Sequence, residues 1–379
     1  MIPLSIPYLA GNEWQYVKEC LDTGWVSTAG SYVTRFEDEI AAFTHSKRAI
    51  SCMNGTAALH VCLKSLGAGP GDYVIAPNLT FVATLNAITY TGAETILIDT
   101  DPDSWQMDLG LLEAFLAAQT QVQEGVLKSK ADGRRIVACM PVHVLGNMCD
   151  MERLTELCAR YHLAIVEDST EALGATFNGK HAGTFGTFGT SSFNGNKIIT
   201  TGGGGMVFTQ DQALADRIKH LTTTAKTDPM DYFHDEVGYN YRLVNVLAAI
   251  GVAQLEQLPE LILRKKFMDA YYREHLTGVG DISFQTITPG VDPNCWLFTF
   301  RTERMRELLT YLNANGIQSR PFWTPMNQLP MYKGYQYITK HDYSTEVHRT
   351  AISIPSSGGL TETELAKVVT TIKAFYGQP

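Results

Sequence analysis

Residues Thr190 to Met206 read T-S-S-F-N-G-N-K-I-I-T-T-G-G-G-G-M, and they hold one lysine, Lys197. It lies among small and apolar residues, ahead of four consecutive glycines, Gly202 to Gly205. A lysine so placed is shielded from water. Burial disfavours the ammonium and leaves more free amine to attack a carbonyl. Small residues on both sides let a bulky, flat ligand approach the backbone. The ordinary alternative is a solvated side chain, one of 30 Lys and Arg residues.

Three other places could do complementary chemistry. Asn54-Gly55-Thr56 sits between a strand-like and a helix-like run. Gly55 permits close approach, a helix N-terminus offers free N–H groups and a positive dipole end, and Thr56 adds a hydroxyl. Together they make a phosphate cup. It is neither the G-x-x-x-x-G-K-[ST] loop nor the G-x-G-x-x-G turn. The alternative is a plain helix N-cap. Asp168 ends the apolar run L-A-I-V-E-D. A carboxylate at the tip of a buried strand needs a cationic partner, such as a protonated ring nitrogen, unless it merely caps a helix. Phe81 follows another strand end and offers either a stacking face or simple core packing.

These residues need a scaffold, and the alternation of patterns supplies one. Strands are expected at 49–52, 73–76, 95–99, 136–141 and 163–167. Helices are expected at 56–66, 81–90, from about 109, and at 151–161. Such alternation implies crossover units and a mostly parallel sheet covered on both faces. Ligands then sit past the C-terminal strand ends, where Asn54 to Thr56, Asn78 to Phe81, Asp99, His143 and Asp168 fall. Before the first strand, Asn12 is expected to cap a helix ended near Gly24, and Val33 to Phe43 form another. Between Thr187 and Thr209 two strands flank the Lys197 loop. Asp211 caps a helix to Leu221. A polar segment, Thr222 to Asp235, leads to G-Y-N-Y-R (Gly238 to Arg242) and an apolar helix, Asn245 to Leu258. Pro259 then marks a boundary between a large domain, 1–258, and a smaller α+β domain, 259–379. In the latter, Trp296 to Arg301 reads as a strand, Glu303 to Asn315 as a helix, and Thr361 with Glu364 as a capping box.

The totals narrow the field. A formal charge of −9 argues against nucleic acid or an anionic membrane as the main partner. The seven cysteines form no C-x-x-C pair, which points to reduced thiols in a cytoplasmic protein and not to a zinc or other metal site. No signal peptide or membrane-spanning run is expected.

A phosphate cup, a stacking aromatic, a carboxylate for a ring nitrogen and a lysine amine, carried on one sheet, are what pyridoxal 5′-phosphate requires. The chain resembles the DegT/DnrJ/EryC1/StrS sugar-nucleotide aminotransferases. The likeness rests on N-G-T-A-A-L (54–59), T-F-V-A-T (80–84), H-V-L-G-N (143–147), V-E-D-S-T-E-A-L-G-A (166–175), the Lys197 stretch and G-Y-N-Y-R. It implies the fold-type-I architecture, with a mostly parallel seven-stranded sheet between helices in the large domain.

The resemblance also implies roles. Lys197 forms the Schiff base with the cofactor and shuttles the proton. Asp168 holds the ring nitrogen, Glu171 lies near the ring's 3-oxygen, and Phe81 stacks on the ring. Gly55, Thr56 and Ser192 bind the phosphate. Asn240 reaches the cofactor phosphate of the neighbouring subunit, so a homodimer with shared sites is implied. Asn194 and Arg242 lie near substrate. Some relatives carry histidine in place of the lysine and dehydrate instead of transaminating; this chain keeps Lys197. The G-N-E-W start and N-G-N-K-I-I-T-T-G-G-G-G-M resemble the enzymes that aminate C4 of UDP-linked 4-keto-6-deoxy N-acetylhexosamines with L-glutamate, for bacterial surface glycans. Two rivals stand beside this reading. One is a C3 aminotransferase acting on a dTDP-keto-sugar, and the other a non-enzymatic regulator that senses the cofactor.

Overall fold

The computed structural model describes residues 1–228 and 230–378. Eight strands form the main sheet, in the order Arg48–Cys52, Gly205–Thr209, Phe188–Ser192, Ala164–Asp168, Ile136–Cys139, Tyr73–Pro77, Glu94–Ile98 and Tyr337–Ile338. From Phe188–Ser192 to Tyr337–Ile338 every pairing is parallel. Gly205–Thr209 runs antiparallel to both of its neighbours. Seven of the strands were expected. The eighth comes from the C-terminal part and extends the edge at Glu94–Ile98. Val74, Ile75, Ala76, Ile96, Leu97 and Ile98 are fully buried, as strands covered on both faces demand.

Helix starts follow side-chain chemistry where the sequence supplies it. Asn54, Asp108, Asp150, Asp211 and Thr361 each accept a main-chain N–H in the first turn of their helix, and Thr361 with Glu364 completes the capping box. Asn12 does not cap helix Glu13–Thr23; its amide donates to Glu256 instead. Phe81 lies just ahead of helix Ala83–Tyr90 and is not part of it. The polar segment expected from Thr222 to Asp235 holds two short paired strands, Lys226–Asp228 and Phe233–His234; its residue 229 lies outside the described residues.

The largest departure is at Pro259. One helix runs from Asn245 to Leu276 with the proline inside it. The expected boundary at 258/259 therefore falls within a continuous element. An interior proline removes a helical hydrogen bond and costs about 3 kcal/mol. Val252, Leu255, Leu258 and Leu261 are buried around it, and each gives back roughly 1.5–3 kcal/mol. By length and composition this helix could also cross a membrane. Here helices Glu13–Thr23 and Ser31–Thr44 pack on its first half, and its second half enters the core of the C-terminal part. There, four short antiparallel strands are ordered Ser283–Phe284, Thr299–Arg301, Ala351–Ser353 and Arg320–Pro321.

The long helix also supplies a cap to another. Gly30, before helix Ser31–Thr44, has no side chain to offer. Asn245 Oδ1 accepts from the amides of Tyr32 (3.0 Å) and Val33 (3.3 Å), and its amide donates to Trp25 O at 2.7 Å. A Cβ on Gly30 would meet the Asn245 Cγ at 2.2 Å, so the glycine is what lets the asparagine in. Replacing Asn245 by Leu leaves those buried amides without an acceptor. Urea unfolding should show a loss of about 2–4 kcal/mol, at about 1–3 kcal/mol for each orphaned group.

Candidate active site

The C-terminal ends of strands Arg48–Cys52, Ala164–Asp168 and Phe188–Ser192 open into one cavity of about 280 Å³. That is near the low end of the ~300–1,000 Å³ usual for small-molecule sites. Gly55, Thr56, Phe81, Asp168, Glu171, Ser192, Asn194 and Lys197 all line it. Residues up to 142 positions apart are thus gathered as expected.

Each is placed by local structure. Asn54 accepts from Ala57 N and starts helix Gly55–Ser65. The Gly55 and Thr56 amides at that start have no acceptor in the helix, and the dipole favours an anion there. A Cβ on Gly55 would lie 2.9 Å from Ser192 Cβ and 3.2 Å from Thr170 Cγ2. Glycine is what brings the helix end against the Ser192 hydroxyl.

Asp168 is 3% exposed. Its carboxylate accepts from Thr84 Oγ1 and Thr170 Oγ1, both at 2.7 Å, and from Thr170 N at 3.3 Å. A turn follows it, not a helix, so it is no helix cap. Among the described residues no Lys, Arg or His pairs with it. A buried carboxylate held only by neutral donors and open to a cavity fits a protonated ring nitrogen. Phe81 is 53% exposed, which sets aside plain core packing; Trp323 meets its ring edge-on at 6.2 Å. A phosphate cup, an exposed Phe81 ring on the cavity wall and an uncompensated carboxylate together fit pyridoxal phosphate.

The Lys197 loop is fixed at its base, where Phe193 N–H donates to Gly204 O and Thr201 N–H to Phe193 O. Nζ lies 3.6 Å from Glu171 Oε1 and 4.1 Å from the centre of a Trp296 ring. Burial pushes the Glu171 carboxyl up to about 7, against the opposing pull of Lys197 and the Leu145 N–H. The glycine tract has a different task from the one expected, since Gly202 to Gly205 do not line the cavity. A Cβ on Gly205 would lie 2.4 Å from Asn54 O, so that glycine admits a neighbouring peptide and not a ligand.

Arg242 also departs from expectation. Its guanidinium makes a two-point pair with Glu37, and it does not line the cavity. Asn240 is exposed and outside the cavity of its own chain. Sequence reasoning missed Thr84, Thr170, Trp296 and Trp323. The first two lay within the T-F-V-A-T and V-E-D-S-T motifs as hydroxyls near Asp168. The tryptophans left no local signal, because they reach the site from the C-terminal part.

Residues 7–373 match the DegT/DnrJ/EryC1/StrS aminotransferase family. The chain belongs to that family. It is a pyridoxal-phosphate-dependent sugar-nucleotide aminotransferase with the fold-type-I architecture. It is 38% identical to the GDP-perosamine synthase of Escherichia coli O157:H7, over 99% of this chain and 98% of that one. It is 36% identical to the GDP-perosamine synthase of Caulobacter vibrioides, over 98% and 97%. A DegT/DnrJ/EryC1/StrS aminotransferase from Brucella abortus superposes with a TM-score of 0.89 at 27% identity, over 97% and 96% of the two chains.

The Glu171 carboxyl gives this aminotransferase a pH signature. Its pKa in the folded chain is raised by burial from the ordinary 4.5 to about 7, so folding takes up a proton between those values. The stability it contributes is full below about 4.5 and is lost as pH rises to about 7. Glu171→Gln removes this term. The variant should gain on the wild type by on the order of 3 kcal/mol across that window, measured by urea unfolding of the cofactor-free proteins.

Proposed function

We propose that this aminotransferase aminates C4 of a nucleotide-linked 4-keto-6-deoxyhexose, with L-glutamate as donor and GDP as the nucleotide, for a bacterial surface glycan. The observation that carries the nucleotide is near-full-length likeness to proteins named GDP-perosamine synthase. The UDP-N-acetylhexosamine form is the second reading, favoured by the N-G-N-K-I-I-T-T-G-G-G-G-M stretch.

Pyridoxal phosphate, when bound, supplies an aldehyde that condenses with amines and a ring that takes up electrons as a substrate C–H bond breaks. The chain's residues set the conditions. The Gly55 and Thr56 amides, with the Thr56 and Ser192 hydroxyls, hold the phosphate. Asp168, fixed by Thr84 and Thr170, keeps a proton on the ring nitrogen. Phe81 covers the ring face. Lys197 Nζ takes and returns the proton, and Glu171 stands beside it as a carboxyl that can gain or lose one near neutrality. Asn194, exposed at the mouth, faces substrate. In a homodimer, Asn240 completes the partner's phosphate site, which agrees with its lying outside the cavity of its own chain.

A panel of GDP-, UDP- and dTDP-linked 4-keto and 3-keto sugars, each with glutamate, tests the substrate. The GDP-linked 4-keto sugar should lead in kcat/KM by at least about tenfold. A lead by a 3-keto sugar would sink C4 chemistry, and a lead by the UDP N-acetyl sugar would replace the nucleotide.

Mixing inactive Lys197→Ala and Asn240→Ala subunits tests the shared site. If Asn240 acts across the interface, a mixed dimer carries one site with both defects and one with neither. Activity should return at cofactor levels too low for the Asn240→Ala homodimer, whose binding falls by about one to two orders of magnitude for a lost bond of roughly 1.5–3 kcal/mol. No recovery, with subunit exchange confirmed by mass, assigns Asn240 to its own subunit.

A further inference from the structure

Trp296 is 3% exposed, and every polar group it has is tied down. Its main-chain N–H donates to Asn294 Oδ1 at 3.1 Å. Its carbonyl accepts from Lys265 Nζ at 2.8 Å. Its indole N–H donates to Asn196 O at 2.7 Å, one residue before Lys197. Asn294 is anchored in turn, donating to the carbonyls of Glu171 and Leu173. The main-chain bonds fix the backbone, and the indole cannot turn without leaving its own N–H and the Asn196 carbonyl unpaired, at a cost for each. What remains free is the aromatic face, and Lys197 Nζ stands 4.1 Å from its centre.

The other group near Nζ is Glu171, and Asp168 lines the same cavity. A carboxyl that burial holds near 7 carries its charge for only part of the neutral range. It can also take the proton away. An aromatic face attracts an ammonium and never titrates. The two neighbours therefore differ in kind: one can exchange the proton, and the other can only hold the cation.

We propose that Trp296 is a positioning residue for Lys197, its indole face holding Nζ as the ammonium in the interval between taking the proton and returning it. The ammonium then waits beside Glu171, carrying the proton it must return. This rests on the reading of Lys197 as the reactive amine, so that reading is tested separately. Borohydride treatment of the holoenzyme, followed by peptide mass analysis, should leave the reduced cofactor on Lys197. Another lysine carrying it would overturn the functional half of the proposal.

The contact itself is read from the titration of Lys197 in the full-length, cofactor-free protein. Trace competitive acetylation, scored peptide by peptide between about pH 6 and 11, reports it. Trp296→Leu removes the face but also admits water, which pushes the titration upward. A fluorinated tryptophan placed at 296 keeps the shape and the three hydrogen bonds while draining the face of electron density. With it the Lys197 titration should fall by about half a unit to one and a half units. Trp296→Phe, which keeps a weaker face, should lie between the fluorinated protein and the wild type. An unshifted titration in the folded, fluorinated protein overturns the proposal, and so does a rise.

Discussion

The Asn54–Gly55 peptide runs past Gly205 with no room for a side chain between them. Strands Arg48–Cys52 and Gly205–Thr209 are paired antiparallel up to Cys52 and Gly205, and the chain beyond that pair turns straight into helix Gly55–Ser65. The helix end is thereby held against Ser192, and Ser192 leads into the Lys197 loop. The anion-binding end and the amine are thus set in register by main-chain sterics. A methyl group at 205 would force the two apart, whatever the surrounding side chains did.

The second constraint is how buried charge is handled along one strand. Glu167 and Asp168 are neighbours, so the strand sends them to opposite faces. Glu167 is saturated: it accepts from the amides of Gly183, Phe185 and Gly186, and it pairs with His143 Nε2 at 2.9 Å. That carboxylate pins the turn before strand Phe188–Ser192. Among the described residues the Asp168 carboxylate accepts only from Thr84 and Thr170, and it faces the cavity. One carboxylate builds the sheet, and the other is left for chemistry. The same division separates Arg242, closed on Glu37, from Lys197, which faces the cavity from between Glu171 and Trp296.

Much of this was legible in the residue order. Strand ends, caps and the four chemical groups each have a local signature, because a turn or helix start is decided by a few neighbouring residues. The Lys197 loop and Asp168 could be found from their flanks. What was hidden depends on distant partners. Arg242 carries nothing beside it to reveal Glu37, 205 residues away. Pro259 reads as a stop, yet burial on both sides outweighs the one missing bond. Trp296 opens a run that reads only as a strand, and nothing beside Trp323 marks it for a site. The glycine tract was legible as a close approach, but its neighbour is a peptide of the same chain.

The edge strand Tyr337–Ile338 gives the sheet an awkward birth order. Every other strand of the sheet is complete once residue 209 has been made, but this one arrives some 130 residues later. Until then Glu94–Ile98 presents a row of open amides and carbonyls flanked by Ile96, Leu97 and Ile98. An open apolar edge of that kind invites pairing with another chain. A nascent or truncated polypeptide ending short of Tyr337 is therefore sticky in a way that the finished protein is not.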